Sequence, residues 1–159
     1  MIKKVFFDNG KGQKLAGVLS VPDKEGKFPA VIRLHGYRSG KDGRSSTVFD
    51  DEFKDDYIYL RFDFFAHGES EGDFIDLTPS EEMDDTKAAI DFVCSLEQCD
   101  GRVGLVGSSL GGMVAIYVTA NDSRVKAAVF GAPVSDFKEN FSRKNDVKLW
   151  EKTRLDLHL

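Results

Sequence analysis

The order of apolar and polar positions alternates between two periods along this chain. Ile2 to Phe7 and Lys14 to Val21 read as strands, with Asn9-Gly10-Lys11-Gly12 turning between them. Pro22-Asp23-Lys24-Glu25-Gly26 is a second turn, and Ala30-Val31-Ile32-Arg33-Leu34 a third strand. A Gly- and Ser-rich loop then leads into a helix near Ser46 to Lys54. Tyr57 to Phe62 is rich in β-branched and aromatic residues and reads as the next strand. Thr86, Ala89, Ile90, Val93 and Leu96 recur at helical spacing. Thr78 supplies the N-cap of that helix, Pro79 its first position, and Glu81 the partner of a capping box. Arg102 to Val106 predicts a strand, Leu110 to Ala120 a helix, and Val125 to Phe130 a strand again. Strands joined through helices imply a parallel sheet with helices on its faces, while the tight early turns imply an antiparallel start. The expected fold is thus α/β, a mostly parallel sheet of about six strands. Residues 1–136 form its core, and residues 137–159 form a helical tail or the start of a lid, with a weak stripe of Phe137, Phe141, Leu149 and Leu155.

Composition narrows the class. The chain has 159 residues, 41% hydrophobic and 31% charged. One domain of that length buries roughly 68–70% of its unfolded surface. Its 22 basic and 27 acidic residues give a net charge of −5, which disfavours a nucleic-acid partner. No segment is long and apolar enough to span a bilayer, and the apolar run after Lys3-Lys4 ends at Asp8, too early for a signal peptide. Cys94 and Cys99, spaced C-x-x-x-x-C, are too few for a disulfide framework and read as structural thiols, so a cytoplasmic location is expected. Acidic sets at Asp50-Asp51-Glu52, Asp55-Asp56, Glu81-Glu82 and Asp84-Asp85 lack metal-loop spacing and read as solvated helix faces; neither metal nor cofactor is expected.

Chemistry concentrates at three strand ends. Gly107-Ser108-Ser109-Leu110-Gly111 is a G-x-S-x-G element between a strand and a helix, the context of a nucleophile elbow. Glycines at 107 and 111 leave room for the tight turn, and a helix N-terminus behind Ser109 favours a developing oxyanion. His35-Gly36-Tyr37 follows the third strand, and Asp63-Phe64-Phe65-Ala66-His67-Gly68-Glu69-Ser70 follows the fourth. Together, in this order, the segments resemble the α/β-hydrolase superfamily, and its esterase-like members in particular, including cinnamoyl (feruloyl) esterases and serine aminopeptidase-like hydrolases. The resemblance covers the chain through Asp136. It implies Ser109 as nucleophile, the amides of Tyr37 and Leu110 as oxyanion hole, and His35, Gly36, Gly107 and Gly111 as supporting residues.

That family orders its triad Ser, acid, His. Here 23 residues follow Asp136, and they carry no strand–loop pattern for either remaining group. Asp136 suits a loop or cap position better than the acid. His35 reads as an orienter of the oxyanion loop, His67 as structural, and His158 sits at a chain end. Two sheet strands of the family are therefore expected to be missing, as in a truncated fold. The leading reading is a serine hydrolase of small esters or related acyl compounds through an acyl-enzyme on Ser109. The alternatives are a catalytically incomplete fragment, and an association module that pairs as a homo-oligomer through an exposed edge at Ala127-Ala128-Val129-Phe130.

Overall fold

The structure, a computed structural model, describes residues 1–136. Residues 137–159, and with them the expected tail or lid and His158, lie outside the described residues. Six strands form one sheet: β1 (Ile2–Asp8), β2 (Lys14–Ser20), β3 (Phe28–Leu34), β4 (Ile58–Phe62), β5 (Cys99–Ser108) and β6 (Val125–Gly131). Their spatial order is β1-β2-β4-β3-β5-β6. β1 pairs antiparallel with β2, and β2 antiparallel with β4; the β4–β3, β3–β5 and β5–β6 pairs are parallel. The central strands thus end together, which brings the loops after β3, β4 and β5 to one rim.

Alternation along the strands sorts two faces. Ala30, Ile32 and Leu34 of β3, Ile58, Leu60 and Phe62 of β4, and Val103 and Leu105 of β5 join the main core. α3 (Pro79–Cys94) and α4 (Leu110–Asn121) cover this face, contributing Ala89, Ile90, Val93, Val114, Ala115 and Val118. Each of the Val, Leu and Ile side chains among them contributes about 1.5–3 kcal/mol of burial. Val31, Arg33, Tyr59 and Arg61 point to the other face, where α1 (Arg44–Thr47) and α2 (Asp50–Phe53) lie and Phe53 packs on Tyr59. The single helix predicted over Ser46 to Lys54 is therefore two short ones. β6 closes the described sheet with Val129 63% and Phe130 41% exposed.

α3 starts as its sequence predicts: the Thr78 side chain accepts from the amide of Glu81 at 3.1 Å. The Glu81 carboxylate, however, accepts from Lys11 Nζ at 2.9 and 3.0 Å, so a tertiary ion pair replaces the return half of the capping box. The solvated-face reading of the acidic sets is also corrected at two positions. Glu82 and Asp85 point inward and are fully buried. Asp85 accepts from the Phe65 amide at 2.7 Å and from Asn9 Nδ2 at 3.3 Å, tying α3 to the loop after β4 and to the first hairpin.

Burial raises the Asp85 carboxyl to about 7; the hydrogen bonds from Phe65 and Asn9 oppose the rise without cancelling it. Burial, with the Asp85 charge adding to it, drives Glu82 well above its ordinary range. The folded state thus holds protons that the unfolded chain releases near pH 4, so Asp85's contribution is full below pH 4 and is lost as pH rises through 7, and Glu82 acts in the same direction. Comparing Asp85→Asn with the parent by thermal melts at pH 5 and pH 8 checks this. The variant's relative stability should increase at the higher pH, and a pH-independent difference contradicts it.

Candidate active site

Ser109 occupies the one-residue junction between β5 and α4, with φ 53° and ψ −121°. This is left-handed backbone for a side chain with a Cβ, a strain of about 1–3 kcal/mol that surrounding packing must hold. The Ser109 amide donates to Gly131 O at 2.9 Å, and its carbonyl accepts from Gly112 at 3.0 Å and Val134 at 3.2 Å. Close backbone approach does the rest. A Cβ on Gly107 would overlap the Gly111 carbonyl oxygen, and one on Gly111 would overlap the His35 carbonyl oxygen. A Cβ on Gly36 would come within 3.1 Å of Ser109 Cβ. The Ser109 side chain is exposed. Leu110 is buried, and as the first residue of α4 its N–H is among the four that have no carbonyl partner within the helix.

The loop after β3 reaches the same point. His35 is buried, with Nδ1 2.9 Å from Gly36 O and Nε2 accepting from the Phe64 amide at 3.1 Å. Burial lowers its pKa to about 4, so the ring is neutral and the Nδ1–H donates. Both nitrogens are engaged in fastening the loop after β3 to the loop after β4. Tyr37 packs on Phe74 with ring centroids 5.5 Å apart, and the Arg38 guanidinium lies 5.4 and 5.8 Å from the two centroids.

Two further anchors went unread in the sequence. Asp63, buried at the end of β4, accepts from the Lys41 amide at 2.7 Å, from Lys41 Nζ at 2.8 Å and from the Glu69 amide at 3.0 Å. Gly40 and Gly68 crowd its carboxylate, leaving space for no other side chain. Burial alone would lower Lys41, but hydrogen bonds to Asp63, Glu69 and Asp42 hold it above its ordinary value. Arg61 donates to Lys41 O and Asp42 and pairs with Asp50. Arg33 is the second anchor: its guanidinium donates to Ser108 Oγ, to Val106 O and to Ser45 O. A charge at an inward position of an otherwise apolar strand was the available signal for both Arg33 and Arg61.

Ser109, Gly36, His35, Gly107, Gly111 and Leu110 therefore converge, with Tyr37 next in chain to Gly36. His67 is apart from that constellation in role: it is buried, its Nδ1 lies 3.0 Å from Phe65 O, and its ring packs on His35 and Phe74. Asp136 is exposed beyond the end of β6. No helix among the described residues is long and apolar enough to cross a membrane.

Known proteins share this fold. The family described as X-Pro dipeptidyl-peptidase (S15 family) matches residues 11–158. The quorum-quenching protein AidA of Acinetobacter baumannii is 32% identical over 128 residues, 77% of this chain and 41% of AidA. A Pyrococcus furiosus esterase structure superposes with TM-score 0.76 at 28% identity, over 96% of this chain and 58% of that one. Est1E from Butyrivibrio proteoclasticus, solved with ferulic acid bound, superposes with TM-score 0.72 at 25% identity, over 78% of this chain and 50% of Est1E. The chain spans less than two thirds of each of these proteins. The family match over residues 11–158 and the superposition on solved hydrolases place the fold, and the chain belongs to the X-Pro dipeptidyl-peptidase (S15) family of α/β-hydrolases.

Proposed function

We propose that this chain carries the nucleophilic half of a serine hydrolase acting on small esters or related acyl compounds. The observation that carries the reading is Ser109 itself: a strained, exposed serine at a strand–helix junction whose glycine neighbours keep the turn closed. A base takes the Ser109 proton as Oγ attacks the acyl carbon. The oxyanion so formed accepts from the amides of Leu110 and Tyr37, aided by the N-terminal end of α4. Collapse expels the alcohol and leaves the acyl group on Ser109; water then attacks the ester and releases the acid. His35 keeps Gly36 and Tyr37 in register through its bond to Gly36 O.

Neither described histidine serves as the base. His35 has both nitrogens bonded, and His67 is buried with Nδ1 engaged. In this reading the base is a residue outside residues 1–136. The Pyrococcus esterase and the ferulic acid held by Est1E support an ester over a peptide as substrate.

A fluorophosphonate probe, with peptide mapping, should label Ser109, and Ser109→Ala should lower nitrophenyl-ester turnover by about 10³-fold or more. Turnover unchanged by Ser109→Ala overturns the reading.

A further inference from the structure

We propose that Arg33 is a positioning residue of the Ser109 site, a buried cation that locks the ends of β3 and β5 together and biases position 109 toward negative charge. Arg33 is 2% exposed. It donates to Ser108 Oγ at 2.7 Å, Val106 O at 2.9 Å and Ser45 O at 2.9 Å, and also to Leu34 O. All four acceptors are neutral. Among the described residues no carboxylate lies within ion-pair distance of it, although Arg61 and Lys41 nearby are both paired with acids.

Stability does not explain such a residue. A guanidinium taken out of water without a counter-charge is costly, and an apolar side chain of similar volume commonly fills a buried charged position with no loss. What the arrangement does supply is placement. Ser108 is the residue before Ser109, Val106 lies on the strand that delivers it, and Leu34 precedes the oxyanion loop. One planar donor set therefore fixes the nucleophile's strand against the loop that faces it. Its charge is itself shielded from water and sits against Ser108, the residue adjoining position 109, so that its field reaches that position.

The surrounding groups leave that charge uncancelled. Tyr59, on β4, donates its hydroxyl to Ser46 O, and burial pushes its ionisation up. Asp50 and Asp42 are held by Arg61, and Asp63 by Lys41. His35 is neutral because it is buried. Burial lowers the Arg33 pKa, yet arginine starts far above neutrality and stays charged.

The inference rests on Ser109 being the reacting position, and its test needs no turnover. In a Ser109→Cys variant, iodoacetamide alkylation of residue 109 is followed against pH by mass spectrometry, peptide by peptide because Cys94 and Cys99 are also present. The expected midpoint lies below the free-thiol value of about 8.5. Adding Arg33→Gln should raise it by about one pH unit, and adding Arg33→Lys should keep it low. Coincident titrations with and without Arg33→Gln overturn the proposal, as does Arg33→Lys behaving like Arg33→Gln. Should Arg33→Gln fail to fold, salt decides within the Ser109→Cys variant alone. A buried source leaves the midpoint depressed at 1 M salt, where exposed charges are screened within about 3 Å. Its return to the free-thiol value overturns the proposal. Absent ester turnover with an Arg33-dependent midpoint overturns the Ser109 reading alone.

Discussion

Replacing Asp63 with Ala should destabilise the protein by about 3–5 kcal/mol, the range for removing one partner of a buried ion pair. The side chains of Lys41 and Asp63 are 4% and 2% exposed, so neither charge can turn to water in place. Three donors converge on this carboxylate: the Lys41 ammonium, the Lys41 amide and the Glu69 amide. Truncation leaves the buried Lys41 amide without its acceptor, strips the Glu69 amide of its own, and makes the Lys41 ammonium dependent on Glu69 and Asp42, which are about half and two-thirds exposed. The loop from Gly36 to Gly43 loses its tie to the end of β4 at the same stroke. Urea unfolding measures the stability, and phosphonate labelling of Ser109 measures the displaced loop. Asp63→Asn, which keeps an acceptor for the amides, should lose less than Asp63→Ala. A loss below about 1 kcal/mol for Asp63→Ala would show that the clamp is not holding these loops.

Gly111→Ala separates two physical effects by sign. Gly111 lies in α4, where helix propensity alone makes alanine better by about 1 kcal/mol. Packing predicts the reverse, because the added methyl would overlap the backbone carbonyls of both His35 and Leu34. Those atoms lie at and just after the end of β3, where Leu34 is paired with Gly107 of β5, and as backbone they cannot withdraw as a flexible side chain could. Overpacking of this kind costs about 1–3 kcal/mol, occasionally more. The variant should therefore unfold at lower urea, and its Ser109 should be labelled more slowly as α4 is pushed from the loop after β3. A more stable variant would mean that β3 and α4 stand further apart than described.

Local signals were legible wherever the cause is local. Strand alternation, the Thr78–Pro79 start of α3 and the G-x-S-x-G junction depend on neighbours within a few residues, and each is found where the sequence places it. The failures share a different cause. The Glu81 carboxylate was expected to complete the cap, but Lys11, distant in the chain, supplies a full positive charge in place of a backbone amide. Glu82 and Asp85 read as solvated acids because acidic runs usually are. Their burial follows from where α3 meets the hairpin and the loop after β4. Arg33, Arg61 and Lys41 stand in plain view in the sequence, yet their partners come from other elements.

From the sequence by itself came the α/β class, the antiparallel entry to a parallel sheet, Ser109 as the residue at the turn, and the loop after β3 as the one facing it. Periodicity and turn chemistry carry that information because they act through bonds and adjacent turns. Tertiary structure alone decided what holds the loops against Ser109: the Asp63–Lys41 clamp, the two engaged nitrogens of His35, and the Arg33 guanidinium behind Ser108. Those interactions join residues far apart in the chain. Their energy depends on burial and on the direction of each donor, and neither exists until the sheet has brought its strand ends to one rim.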